Sequence, residues 1–168
     1  MAERRTVVPE RTLSYSGLFD GKELYKLIKE WVMDHGYDDW IERNHTEKNT
    51  KTSKQVEIDY LPKAKVSDYL ELQLGMNITY MNLKKTKIEY KGKKVEVDEG
   101  DLEINFTGFI LSDYWGRWEN KAHWFFIRTI MDKFVFKFIF DKYTKELNNH
   151  ITELYNHIRQ YLNTTKIE

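Results

Sequence analysis

The sequence predicts an α+β domain in which a curved antiparallel β-sheet packs against a long C-terminal α-helix. Three patterns predict this: a long apolar–polar alternation from Leu70 to Tyr80, shorter alternating segments separated by turn residues, and apolar residues at helical spacing from residue 130 onward. Strand side chains point to opposite faces in turn, so the first pattern describes a strand with one apolar face. Such strands are typical of antiparallel sheets that are covered on one side.

The N-terminal third predicts one strand followed by one short helix. Residues 12–16 alternate weakly, and Gly17 is a candidate end for that strand. Asp20 is a candidate N-cap for a helix that ends near Gly36. The apolar residues between them share one helical face: Leu24, Leu27, Ile28, Trp31 and Val32. We expect a short strand within residues 37–44 and a polar loop from His45 to Lys54.

The middle of the chain predicts a meander of strands. Residues 56–60 alternate and are closed by Pro62, and the long strand then runs to about Leu83. The run Lys91-Gly92-Lys93-Lys94 lies between two alternating segments, which predicts a tight hairpin. A second turn is expected at residues 98–101, before a last clear strand up to residue 111.

The C-terminal third changes character after Ser112. Residues 124–129 fit either a buried last strand or the first turns of a helix, because periodicity cannot separate the two. From Ile130 a helix of more than thirty residues is expected, with a bend near Asp141. The apolar run from 124 to 140 contains four charged residues, so a buried helix or one lying on a membrane surface fits it better than a membrane span.

Composition limits the possible functions. We expect one domain over residues 1–168, with an extended or disordered arm at 1–10 and a frayed tail at 164–168. The net charge is zero, which argues against a nucleic-acid partner, and the absence of cysteine excludes disulfides, thiolate metal sites and cysteine nucleophiles. The N-terminus lacks the apolar segment of a signal peptide, so a cytoplasmic protein is expected.

The polar clusters favour structural roles. His150, Glu153 and His157 share a helical face, but two histidines seven residues apart do not chelate one metal, so we expect partly exposed histidines beside a packed stripe. Six of the eleven residues from 84 to 94 are lysine, and an acidic run follows. A self-neutralised hairpin is the preferred interpretation, and an anion-binding surface is the alternative. We expect no metal, no cofactor and no catalytic residue.

The aromatic segment at 114–126 is the best candidate for contact with a partner. Tyr114, Trp115 and Trp118 are expected there as partner-binding residues, since exposed aromatics beside arginine are common interface anchors. The alternatives are that most of these rings pack in the core, or that they form the mouth of a cavity or a membrane interface.

The element order resembles that of the START/Bet v 1-like superfamily, also called SRPBCC or helix-grip: one strand, a short helical region, an antiparallel meander and a long terminal helix, from about Arg11 to Asn163. The resemblance implies a sheet that grips the helix and a cavity between them for an apolar or lipid-like ligand. Expected lining residues are Leu72, Leu74, Met76, Ile78, Phe106, Trp124 and Tyr143. The alternatives are a protein-interaction or homo-oligomerising module that uses residues 114–126 and, by fold analogy alone, a cyclase- or hydrolase-like enzyme.

Overall fold

The computed structural model describes residues 3–112 and 122–164. The elements in chain order are β1 (Glu3–Phe19), α1 (Gly21–Asp34), β2 (Glu42–Asn49), β3 (Lys54–Tyr60), β4 (Lys63–Lys65), β5 (Leu70–Tyr90), β6 (Lys93–Ser112), α2 (Ala122–Phe134) and α3 (Phe136–Thr164). The six strands form one antiparallel sheet in the order β1-β6-β5-β3-β2, with β4 paired to β5. This confirms the α+β class, the short helix after the first strand and the long C-terminal helix.

The core lies between one face of the sheet and α3. The alternating apolar residues of β5 are buried as the sequence predicts, with Leu72 and Ile78 each 2% exposed. On α3 the buried residues recur at three- and four-residue spacing: Leu147, Ile151, Leu154, Ile158 and Leu162. The period-2 face of the strand and the period-3.6 face of the helix therefore cover each other.

The first helix forms where its capping signal predicts. One carboxylate oxygen of Asp20 accepts hydrogen bonds from the backbone N–H groups of Lys22 and Glu23, at 2.9 and 3.1 Å. Gly36 follows the helix with φ +85°, a conformation that glycine adopts without strain. The buried face of α1 consists of Leu24, Ile28 and Val32, and α1 lies against α3.

Two predictions around the first strands are wrong. β1 does not end at Gly17 but continues to Phe19, and Gly17 sits inside the strand with φ +142°. Residues 45–49 belong to the edge strand β2, where a loop was expected. The sequence of β2 has no apolar alternation, and nearly all of its side chains are exposed. The strand is held in the sheet by its backbone pairing with β3.

The turn expected at 98–101 does not exist, because β6 is continuous. Asn82 and Leu83 of β5 lie opposite Gly100 alone, which is a β-bulge, and Asn82 has φ 54°. A Cβ atom on Gly100 would lie 2.8 Å from the carbonyl oxygen of Met81. Glycine is therefore required at position 100, where the two strands approach closely. The glycine that the sequence analysis assigned to a turn marks a β-bulge instead.

The C-terminal third is helical in its described part. Residues 124–129 belong to α2, so the helix alternative is confirmed and the last strand of the resembled family is not formed there. The helical run is interrupted at Val135, between α2 and α3, and α3 is continuous through Asp141.

Candidate functional site

The residues expected to line a ligand cavity are brought together, and five of them form a packed layer. Leu72, Leu74, Met76, Ile78 and Phe106 are 0–2% exposed and belong to one core cluster. Met76 pairs directly with Phe106 across β5 and β6. Tyr143 packs at the border of this cluster, and the side chain of Trp124 lies outside the described part of the structure.

Large apolar side chains are exposed along α2 and the start of α3. Phe126, Ile130, Phe134 and Phe138, which we call the apolar stripe, follow one another at four-residue spacing and are 66, 45, 71 and 78% exposed. Four-residue spacing places Phe126, Ile130 and Phe134 on one face of α2, and Phe138 follows in α3, after the interruption at Val135. The expected partner-binding residues Tyr114, Trp115 and Trp118 lie outside the described residues, immediately before this segment.

The apolar stripe is bordered by basic side chains. Lys133 and Lys137 are exposed next to it, and the ammonium nitrogen of Lys133 lies 5.7 Å from the ring centre of Phe134. A cavity of about 230 Å³ lies beside them, between the ends of β1, β5 and β6 and the junction of α2 with α3. Arg5 contributes to its wall and places its guanidinium 5.6 Å from the ring centre of Phe140.

A second group of polar residues, the His–Tyr cluster, joins α1 to α3. It consists of Trp31, His35, Tyr37, His150 and Glu153. The Tyr37 hydroxyl lies 3.0 Å from Nδ1 of His150, and Nε2 of His35 lies 3.5 Å from a carboxylate oxygen of Glu153. The His35 ring stacks on Trp31 with centroids 3.7 Å apart and meets His150 edge-on at 5.3 Å. An open groove of about 780 Å³ runs beside His35, His150 and Glu153.

Burial sets the protonation of this cluster. It raises the pKa of Tyr37 well above the usual value, so the phenol keeps its proton and can donate a hydrogen bond to an unprotonated Nδ1 of His150. Burial also lowers the pKa of His150, against the attraction of Glu146 and with the help of nearby His35. A neutral His150 that accepts at Nδ1 carries its own proton on Nε2.

The His–Tyr cluster differs from the helical trio that the sequence singled out. His150 faces His35 and Tyr37, while His157 lines a separate groove beside Trp31 and Glu30. Within residues 3–112 and 122–164, no three side chains of metal-binding type are arranged to hold an ion. His35 and Tyr37 were missed because they follow the periodic part of α1, where spacing predicts no partner.

The lysine-rich hairpin arm, residues 84–97 of β5 and β6, pairs its charges across the ladder. Lys85 is opposite Asp98, and its ammonium lies 3.0 Å from that carboxylate. The next same-face pairs are Lys87 with Glu96 and Glu89 with Lys94. This register favours the self-neutralised interpretation of the hairpin.

Among the helices within the described residues, none combines the length and the apolar character that crossing a bilayer requires. Comparison of the chain with models of protein families and with curated protein sequences gives no match.

Proposed function

We propose that the protein is a non-catalytic binding protein that docks on an anionic membrane surface through the apolar stripe. The exposure of Phe126, Ile130, Phe134 and Phe138 carries the proposal. Contiguous exposed apolar side chains are uncommon on monomeric domains and mark surfaces that contact a partner or a membrane. In this proposal the protein is cytoplasmic and meets the inner surface of the membrane.

The residue types of the apolar stripe and their position along the helices support a membrane surface as the partner. Helices that lie in a membrane interface carry phenylalanine, tryptophan or leucine on one face and lysine or arginine beside it. Here the apolar stripe extends along α2 and continues into the start of α3. The neighbouring residues Trp115 and Trp118 are of the type that concentrates at membrane interfaces.

The excess of basic residues around the apolar stripe supports an anionic membrane as the partner. Residues 122–145 contain five basic and two acidic residues, although the whole chain is neutral. Lys133 and Lys137 lie beside the stripe with their side chains exposed. Each basic residue held near an anionic leaflet contributes about 1 kcal/mol to binding, and this contribution decreases as salt rises.

Sedimentation with vesicles tests the proposal. We expect the protein to bind vesicles that contain phosphatidylglycerol, to bind pure phosphatidylcholine vesicles more weakly, and to lose affinity as salt increases. The double variant Phe134→Ser/Phe138→Ser should reduce the partition coefficient at least about tenfold, since each buried phenylalanine contributes about 1.5–3 kcal/mol.

The matched control is Tyr25→Ser, which removes an exposed aromatic side chain on α1. It should leave vesicle binding unchanged. Equal binding by the double variant and the parent protein, or no binding by the parent, would contradict the proposal. A dimer that the double variant dissociates, seen by light scattering in the absence of vesicle binding, would instead assign the stripe to a second copy of the chain.

A second candidate is the carrier of an apolar ligand in a helix-grip arrangement. It is favoured by the position of α3, whose buried face lies on the apolar side of the sheet beside Leu72, Met76 and Phe106. Because these side chains are buried in the core cluster, a ligand would reach them only if α3 moved away from the sheet. Native mass spectrometry of the purified protein tests this: a lipid-sized mass that co-purifies supports a carrier, and its absence from protein purified from its own cells opposes one.

A further inference from the structure

A cavity of about 300 Å³ lies where the hairpin arm, the β1–α1 junction and the last turn of α3 meet. Three aromatic residues line it: Phe19 from β1, Tyr90 from the tip of β5 and Tyr161 from α3. The apolar face of the arm supplies aliphatic side chains, among them Ile88 and Val95. The volume is at the small end of the range for ligand sites, and the mainly apolar wall is typical of them.

Two carboxylates complete the wall of this arm cavity, Asp20 and Glu23. The Asp20 side chain is held in place because its Oδ1 accepts two backbone N–H groups of α1. Glu23 is positioned by Tyr161, whose hydroxyl donates to its Oε2 at 3.3 Å. Burial and the two nearby carboxylates raise the pKa of Tyr161 well above its usual value, so this hydroxyl remains a donor.

Lys85 attracts the carboxylate of Asp20, but its ammonium contacts Asp98 directly, at 3.0 Å. Among the described residues that line it, none is basic. The register places Lys85, Lys87 and Lys94 on the other face of the arm, each opposite an acidic residue. The described wall of the cavity therefore combines aromatic rings with two carboxylates and no basic side chain.

We propose that the arm cavity binds a small organic cation through an alkylated ammonium group. Aromatic faces attract such cations through the ring quadrupole. The carboxylates of Asp20 and Glu23 add a net attraction that a neutral molecule of the same shape would not receive. This site is separate from the apolar stripe and does not rest on the membrane proposal.

Calorimetric titration with choline and with its uncharged tert-butyl analogue tests the site. The two molecules share size and shape and differ in charge. We expect choline to bind at one site, and the neutral analogue to bind at least roughly tenfold more weakly, which corresponds to about 1.4 kcal/mol. Equal affinities, or no choline binding at millimolar concentrations, would overturn the proposal.

Variants locate the site. Glu23→Gln retains an oxygen that accepts from Tyr161 and removes the charge, so it should weaken choline binding roughly tenfold. Tyr90→Leu keeps an apolar side chain without a π-face and should also weaken it. The control Glu30→Gln removes an exposed carboxylate of α1 that lies outside the cavity, and it should leave binding unchanged. If Glu23→Gln and Glu30→Gln weakened binding equally, the attraction would be nonspecific and the assignment wrong.

Discussion

The hydroxyl of Tyr37 lies 3.0 Å from Nδ1 of His150 and ties the segment after α1 to the middle of α3. Tyr37 is fully buried, so this bond satisfies a phenol that would otherwise be costly to remove from water. With Nδ1 unprotonated the phenol donates this bond, whereas a protonated Nδ1 would donate to the phenol oxygen instead. Which group donates across this joint therefore depends on the protonation of one histidine.

Stability should fall at acid pH because of His150. Its pKa is below the ordinary value of 6.5, so the unfolded chain binds this proton more readily than the folded protein. The contribution of His150 is complete above pH 6.5 and is lost as the pH falls from there through the folded pKa. The groups facing it are Tyr37 and His35 from the α1 side and Glu146 and Glu153 from its own helix.

Urea unfolding at about pH 7.5 and about pH 5 measures this effect. The variant His150→Asn keeps an acceptor near the position of Nδ1 and does not titrate. The loss of stability between the two pH values should be smaller in the variant than in the parent. An identical loss in both proteins would show that other groups cause the acid sensitivity.

Gly108 should not tolerate a side chain. A Cβ atom there would lie 2.8 Å from Val8 on the neighbouring strand and 2.9 Å from Leu147 on α3. Gly108→Ala should therefore push α3 away from the sheet and destabilise the protein by about 1–3 kcal/mol in urea unfolding. Ser14→Ala, on an exposed position of β1, should change stability by less than about 0.5 kcal/mol. Equal effects would mean that the sheet and α3 do not approach so closely.

The same substitution, phenylalanine to alanine, should affect the unfolding free energy differently in the core and in the apolar stripe. Phe106 is 0% exposed and Phe134 is 71% exposed. Phe106→Ala should cost about 3–5 kcal/mol of unfolding free energy, because it removes buried area and leaves a cavity. Phe134→Ala should cost less than about 0.5 kcal/mol. A large loss for Phe134→Ala would indicate that the stripe is packed against the domain in solution.

Removal of the Asp98 carboxylate should destabilise the protein more than removal of the Glu96 carboxylate. Its carboxylate accepts the backbone N–H of Gly21 at 3.0 Å and contacts Lys85 at 3.0 Å, and the residue is 9% exposed. Asp98→Ala would leave a helix-terminal N–H without its acceptor, so we expect a loss of about 1–3 kcal/mol. Glu96→Ala removes an exposed contact 4.0 Å long, and thermal unfolding should detect little change. Comparable losses would show that Asp98 acts only through Lys85.

The sequence alone determined the elements whose signals are local. The alternation in β5, the cap at Asp20, the turn at Lys91-Gly92 and the periodic face of α3 each occur within a few residues of chain. A side chain is buried or exposed according to this spacing, so the spacing predicts the element and its inner face. The same reasoning identified Leu72, Met76 and Phe106 as inward-facing.

Only the tertiary structure decided the features that depend on distant partners. β2 is held by hydrogen bonds to β3, and Gly100 marks a bulge because Asn82 and Leu83 of another strand lie against it. Tyr37 and His150 are far apart in sequence, and their contact follows from how α1 packs on α3. The exposure of Phe134 is likewise a property of the assembled domain. An apolar spacing indicates that a helical face can be covered, whereas the fold determines whether the chain itself covers it.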